Sequence, residues 1–318
     1  MVDDIRFSDT AVGPRDTQTT VNLVVGGEVV RSSTGSDSEA LDWASWDLSD
    51  LQGRTAQISV VDHSSGGGGH ILADQFMLAP APAKSGTDRA AWVDYGRDNY
   101  AGVTFNGLPA NQRIAISWMN NWQYAGDVPT DPWRGQMTTP RTLSLVSTEA
   151  GPRLRQTPVP GVDAVTVNRD KQQAKVRSVA AGVTPTGLAG AVARVEVRVA
   201  LGSASEAGVV LRRSADGAVG TKVGVRRDGR LVVDRTASGT VGFNPLFPSV
   251  EKAPVTVRDG EVTITAYLDR SSVEVLAEGG QVSVTDLIYP PASATGIAAY
   301  AVGGTAKAVD IKVTPIRP

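Results

Sequence analysis

The 318-residue sequence contains no cysteine and only two histidines, His63 and His70. Without a thiol there is no disulfide scaffold, no cysteine nucleophile and no thiolate metal site, while the compartment stays open. Two histidines flanking one glycine run make a poor metal centre, and a Ser-His-Asp hydrolase would have to draw its base from that single loop. Neither is expected, and no cofactor or metal is assigned. Charge of one sign is also missing. Lys and Arg total 31 against 33 Asp and Glu, a formal net charge of −2, which gives no electrostatic case for a nucleic acid or an anionic membrane and leaves neutral ligands as the better fit. No run approaches the roughly 18 apolar residues of a membrane span, and residues 1–20 have neither the basic leader nor the apolar stretch of a signal peptide.

What the sequence has is alternation. VNLVVGGEVV, AQISVVD, ARVEVRVAL, KVGVRRDGRLVVD, VTITAYLD and SSVEVLAEGGQVSV all place apolar residues at every second position, the period of half-buried strands. Gly-Gly, Asp-Gly and Glu-Gly-Gly separate them as in antiparallel hairpins. The class is all-β. Two proline-rich breaks, Ala79 to Gly86 and Gly151 to Gly161, read as linkers. They divide the chain into residues 1–80, 84–150 and 165–318, with 151–164 as connector. The middle unit is too short to bury its own sheet and needs a partner over its apolar face, as a propeller blade does.

Three of the six tryptophans fall within ISWMNNWQYAGDVPTDPWRG, Ile116 to Gly135. This stretch, with WVDYGRDNYAGVTF before it (Trp92 to Phe105) and RTLSL after it, resembles the last propeller-blade region of the glycoside hydrolase family 32 fructan hydrolases: levanases, exo-inulinases and invertases. VGFNPLFP (Val241 to Pro248) and YLDRSSVEVLAEGGQVSVTDLIYP (Tyr267 to Pro290) resemble the β-sandwich that closes that family's C-terminus. Residues 17–78 are similar to part of a β-sandwich inserted before the DYG segment in some levanase-like members, although the Gly-rich turn before His70 lacks the tryptophan that relatives often carry there. DDIRFS (Asp3 to Ser8) echoes ADQFML (Ala73 to Leu78), as a truncated upstream copy would.

The resemblance implies a five-bladed propeller and a retaining glycosidase: one Asp attacks the fructosyl anomeric carbon, a Glu protonates the leaving oxygen and then activates water, and a second Asp holds fructose hydroxyls. Those acids need separated pKa values. The family carries them in Trp-Met-Asn-Asp, Arg-Asp-Pro and Glu-Cys motifs, none of which occurs here: there is no cysteine, Arg97-Asp98 runs into Asn99, and Trp118-Met119-Asn120 is followed by Asn121. An amide is not a nucleophilic carboxylate. The expectation is therefore the C-terminal part of a secreted fructan, levan, inulin or sucrose-type β-fructosidase, inactive alone, whose partners are the carbohydrate and the missing N-terminal blades. The alternatives are a non-catalytic carbohydrate-binding module and part of a fructosyltransferase.

Trp118, Asn121 and Trp122 are the leading candidates for substrate binding, because an aromatic face stacks on a sugar ring while an amide hydrogen-bonds its hydroxyls. Asp94 and Tyr95 are candidates for a position on the pocket rim. No catalytic residue is assigned. Arg97 and Asp98 read as a solvated or network pair, Asp127 and Asp131 as loop acids that shape outer subsites, and Trp133 with Arg134 as a turn. Asp269, Arg270 and Glu274 read as structural, and Trp43 and Trp46 as core of the first module.

Overall fold

The computed structural model describes residues 18–35, 43–66, 69–80, 92–109, 111–148 and 151–317. The DDIRFS segment, and most of the proline-rich stretch at 79–86, lie outside these. The chain forms two compact units, residues 1–90 and 91–318.

The first unit holds an antiparallel sheet of β1 (Thr19–Val25), β2 (Glu28–Ser33) and β3 (Gln57–Asp62), in the order β2-β1-β3. Gly26 and Gly27 both have positive φ, 63° and 87°, the backbone a two-residue hairpin matched to strand twist requires. The core is aliphatic, built from Leu23, Val24, Val25 and Val61. Against expectation, Trp43 is 40% exposed, and Trp46 is half-buried at the sheet's edge, with its indole Nε1–H donating to Ser33 Oγ at 2.8 Å.

The second unit begins with a small antiparallel sheet of β4 (Tyr100–Thr104), β5 (Ile114–Met119), β6 (Gln136–Met137), β7 (Arg141–Thr148) and β8 (Gly151–Pro158). Its order is β4-β5-β7-β8, with β6 paired to β5. The Gly151–Gly161 linker expected from sequence is thus corrected: Gly151 to Pro158 pair along the whole of β7, from Thr148↔Gly151 to Arg141↔Pro158. Prolines are tolerated because β8 is an edge strand, where a missing N–H withdraws nothing from a second neighbour. A single helical turn, α1 (Pro160–Ala164), follows.

Two six-stranded sheets complete the unit. One contains β10 (Gly182–Ala189), β12 (Glu206–Arg213), β13 (Thr221–Arg226), β14 (Arg230–Asp234), β15 (Val250–Pro254) and β19 (Gly296–Val302). The other contains β9 (Gln172–Val179), β11 (Ala193–Ala200), β16 (Glu261–Asp269), β17 (Ser272–Ala277), β18 (Val282–Leu287) and β20 (Ala306–Pro315). Alternation sets the register: Val195, Val197 and Val199 lie opposite Ala266, Ile264 and Val262. All six point into one aliphatic core shared by both sheets. Strands β17 and β18 are buried at every position, because their second face is covered by the blade.

Candidate functional site

The DYGRD segment lies against the outer edge of β18, the last strand of its sheet. Tyr95 N–H donates to Ser283 O at 2.8 Å and Asp98 N–H to Thr285 O at 3.1 Å. The intervening Gly96 is dictated by this approach, since a Cβ there would lie 2.1 Å from Thr285 O and 2.4 Å from Thr285 N. The remaining donors of the edge are taken by carboxylates: Thr285 N–H donates to Asp94 Oδ1 at 2.8 Å, and Leu287 N–H to Asp98 Oδ2 at 2.8 Å.

Asp94 belongs to a buried network centred on Arg141. Arg141 Nη1 donates to Asp94 Oδ2 (3.1 Å), Gln156 Oε1 (3.2 Å) and Ser283 Oγ (2.7 Å), and Nη2 to Glu274 Oε2 (2.5 Å) and Thr285 Oγ1 (2.7 Å). Ser283 and Thr285 hydroxyls donate onward to Asp94 Oδ2 at 2.6 and 2.7 Å. Burial opposes ionisation of Asp94, but the Arg141 charge and these hydrogen bonds outweigh it and hold the carboxyl below its ordinary value. Glu274 Oε1 accepts from both N–H and Oγ1 of Thr139 at 2.8 and 2.6 Å. Asp94 therefore binds blade to sandwich rather than standing on a rim. Tyr95 packs against the sandwich core.

A second network surrounds Arg235, which is fully buried. Its Nη1 donates to Asp98 Oδ2 at 2.5 Å, and its Nη2 to Tyr124 OH at 2.8 Å, whose hydroxyl donates to Asp98 Oδ1 at 2.6 Å. The guanidinium lies 4.1 Å from the Phe247 ring centroid and 5.5 Å from that of Tyr124, two rings of an apolar cluster that also holds Met119, Val128 and Leu287. Asp286 is the odd member: its Oδ1 accepts from Arg97 N–H at 3.1 Å, while Oδ2 has no partner. Burial pushes its pKa up to about 8, with Arg235 opposing the rise and Glu251 and Asp98 adding to it.

The exposed chemistry lies on the other face of β5, where consecutive residues point oppositely. Met119 is buried in the cluster with Tyr124 and Phe247 while Trp118 faces outward to Trp122 and Tyr100. Trp118 and Trp122 centroids are 5.2 Å apart, and Tyr100 stands edge-on to both at 6.2 and 6.5 Å. Trp122 is 72% exposed. Gly135, at φ 69°, supports the cluster from below, since a Cβ there would fall 2.6 Å from Trp118 Nε1. Tyr100 was not among the sequence candidates; its register opposite Trp118 was the signal for it. Asn121 is engaged by the backbone, its Nδ2 donating to Arg97 O at 3.0 Å and its Oδ1 accepting from Gln123 N–H at 2.9 Å. The structure thus groups Trp118 and Trp122, and separates them from Asp94 and Tyr95.

Other candidates fall into supporting positions. Asp127 Oδ2 accepts from Asn244 Nδ2 at 2.7 Å, tying the GDVPTDP loop to the sandwich. Trp133 is exposed, and its carbonyl accepts from Arg134 Nη1 at 3.1 Å. Asp131 is exposed. Among the described residues no group of His, Asp and Glu is arranged to hold a metal ion, and no helix is long and apolar enough to cross a membrane.

A propeller-type blade clamped to a two-sheet sandwich by buried arginines, with an aromatic cluster on its free face, defines the class: an all-β blade-and-sandwich architecture. Residues 37–158 match the glycosyl hydrolases family 32 N-terminal domain, and residues 161–315 match the glycosyl hydrolases family 32 C-terminal domain. The chain belongs to glycosyl hydrolase family 32. A levanase of Bacillus subtilis is 37% identical over 236 residues, 72% of this chain and 35% of that protein. The extracellular exo-inulinase of Aspergillus awamori is 34% identical over 227 residues, 70% of this chain and 42% of the relative. The crystal structure of an Aspergillus awamori exo-inulinase superposes with a TM-score of 0.68 at 30% identity, covering 83% of this chain and 50% of that one. The chain spans less than half the length of these two curated relatives.

Proposed function

We propose that this chain supplies the terminal blade and the closing sandwich of an extracellular β-fructosidase acting on fructans or sucrose-type fructosides, with the cleaving carboxylates contributed from outside residues 1–318. The observation that carries the reading is the cluster of exposed Tyr100 and Trp122 with half-buried Trp118 on a family 32 blade, a surface suited to stack the apolar side of a sugar ring. The state of the local acids supports the division of labour. Retaining hydrolysis needs two solvent-reachable carboxyls roughly 5–5.5 Å apart, whereas Asp94, Asp98, Glu274 and Asp286 are buried and paired with arginine, Asp94 and Glu274 with Arg141 and Asp98 and Asp286 with Arg235.

The blade's outer face supports the same reading. Val103, Phe105 and Met137 are exposed on it beside the aromatic cluster, Val103 at 61%, an apolar margin on which a sheet can take a neighbouring blade. The names of the relatives, a levanase and an extracellular exo-inulinase, motivate the substrate class and the extracellular setting. The test is fructose release from levan, inulin and sucrose by residues 1–318 alone, with tryptophan fluorescence followed in the same titrations. Fluorescence quenching without fructose release is the expected result. Turnover would overturn the assignment of the acids, and the absence of any fluorescence response would overturn the aromatic cluster as a sugar surface.

A further inference from the structure

A groove of about 460 Å³ runs between the GDVPTDP loop of the blade and the sandwich, lined by Pro129, Thr240, Arg270, Ser271, Tyr289 and Pro290 among others. Its volume lies within the roughly 300–1,000 Å³ of small-molecule sites. We propose that it is a second carbohydrate-binding site, one that holds sugar units of the fructan chain away from the aromatic cluster; the fructan identity rests on the function proposed above.

Three observations carry the assignment. The first is the composition of the walls. Proline rings offer flat apolar faces, Thr240 offers a hydroxyl and Ser271 an oxygen that can still accept, Tyr289 backs the wall from its packing against Phe243 and Phe247, and no carboxylate lines the groove. Flat CH-rich faces beside hydroxyl and guanidinium donors match a polyol ring, whereas a compact anion would gain nothing from the proline walls.

The second is an available donor. Arg270 is exposed and, among the described residues, engages neighbours only through its backbone, N–H to Asp269 Oδ1 at 2.6 Å and C=O from Arg212. Its guanidinium, with five N–H donors in a fixed fork, is left for vicinal hydroxyls.

The third is preorganisation. Arg212, buried to 1% exposure, faces carbonyls: its Nε donates to Ala294 O at 2.7 Å, its Nη1 to Ala191 O at 3.4 Å and Arg270 O at 3.1 Å, and its Nη2 to Pro291 O at 3.4 Å. One buried side chain thus ties the Arg270 turn to the Pro290-Pro291 wall and fixes the groove's width before any ligand arrives, which lowers the ordering cost of binding. The groove is also separate from the aromatic cluster. Ser271 Oγ donates to Gln136 Oε1 at 2.9 Å, and Gln136 Nε2 reaches Met119 Sδ at 3.3 Å, on the face of β5 opposite Trp118.

The experiment is calorimetry of residues 1–318 with levan- and inulin-type fructo-oligosaccharides, with tryptophan fluorescence as a reporter of the aromatic cluster. Wild type, Arg270→Gln and Trp122→Ala are compared, and thermal melting checks that each variant is folded. Wild type is expected to show two classes of site. Arg270→Gln should weaken one of them about tenfold and leave the fluorescence response intact, and Trp122→Ala should do the converse. A single class of site that Arg270→Gln leaves unchanged overturns the groove and spares the aromatic cluster. Binding that depends on Arg270 but produces no fluorescence response sinks the cluster and spares the groove. Displacement of the Arg270-dependent ligand by millimolar inorganic phosphate overturns the carbohydrate assignment in favour of an anion site, and no oligosaccharide binding at all overturns both readings.

Discussion

Replacing Arg141 by Met removes five hydrogen bonds at once and leaves the Asp94 and Glu274 carboxyls buried without their cationic partner. Their side chains are only 3% and 7% exposed, so water cannot replace the lost partner without opening the seam between blade and sandwich. Removing one partner of a buried ion pair costs about 3–5 kcal/mol. For a unit of this size each kcal/mol moves the midpoint by about 2–4 °C, so Tm should drop by about 6–20 °C. Differential scanning calorimetry of the wild type and Arg141→Met measures this directly. The triple variant that adds Asp94→Asn and Glu274→Gln supplies the control, since neutral amides need no counter-charge; it should recover part of the loss. A shift below about 2 °C for Arg141→Met, or a triple variant less stable than the single one, would refute the view that stranded carboxylates dominate the energetics of this seam.

Three further outcomes follow from the same geometry. Asp286 holds its proton to about pH 8 when folded, against 3.8 as its ordinary value, so the folded state binds more protons than the unfolded chain between these values. Its contribution to stability is therefore full below about pH 4 and is lost as pH rises toward about 8; Asp286→Asn should flatten that slope in pH-dependent urea melts relative to wild type. Gly96→Ala forces a Cβ against the Thr285 backbone, and amide exchange at Thr285 and Leu287 should accelerate as the segment lifts away. Trp122→Ala, at a residue 72% exposed, should leave Tm within about 1 °C while lowering fructo-oligosaccharide affinity about tenfold, read by fluorescence or calorimetry.

The strands were legible because period-two patterns such as ARVEVRVA translate directly into buried and unburied faces. The same pattern misleads on β17 and β18. In SVEVLA and VSVTDL the polar alternates read as solvent-facing, yet every one is buried, since a second layer made from residues more than a hundred positions earlier covers them. Sequence carries no mark of that covering layer, so the Arg141 and Arg235 networks went unread and Asp94 was placed on a rim. The blade's tryptophans were easier, because their density in one short segment is local information. Which of them pair, and that Tyr100 joins them, depends on cross-strand register. Proline content at Gly151–Gly161 suggested a linker because it reports a missing donor without reporting whether a neighbour wanted one.

The capping of β18 by the DYGRD segment has a bearing on solubility. The outermost strand of any open sheet presents a row of unsatisfied amides and carbonyls on which another chain can polymerise. Here the backbone of Tyr95 and Asp98, and the carboxylates of Asp94 and Asp98, occupy that row at Ser283, Thr285 and Leu287. A sandwich expressed without residues 92–98 would keep its aliphatic core and lose its cap, and fibrillation at that bare strand would then compete with staying monomeric.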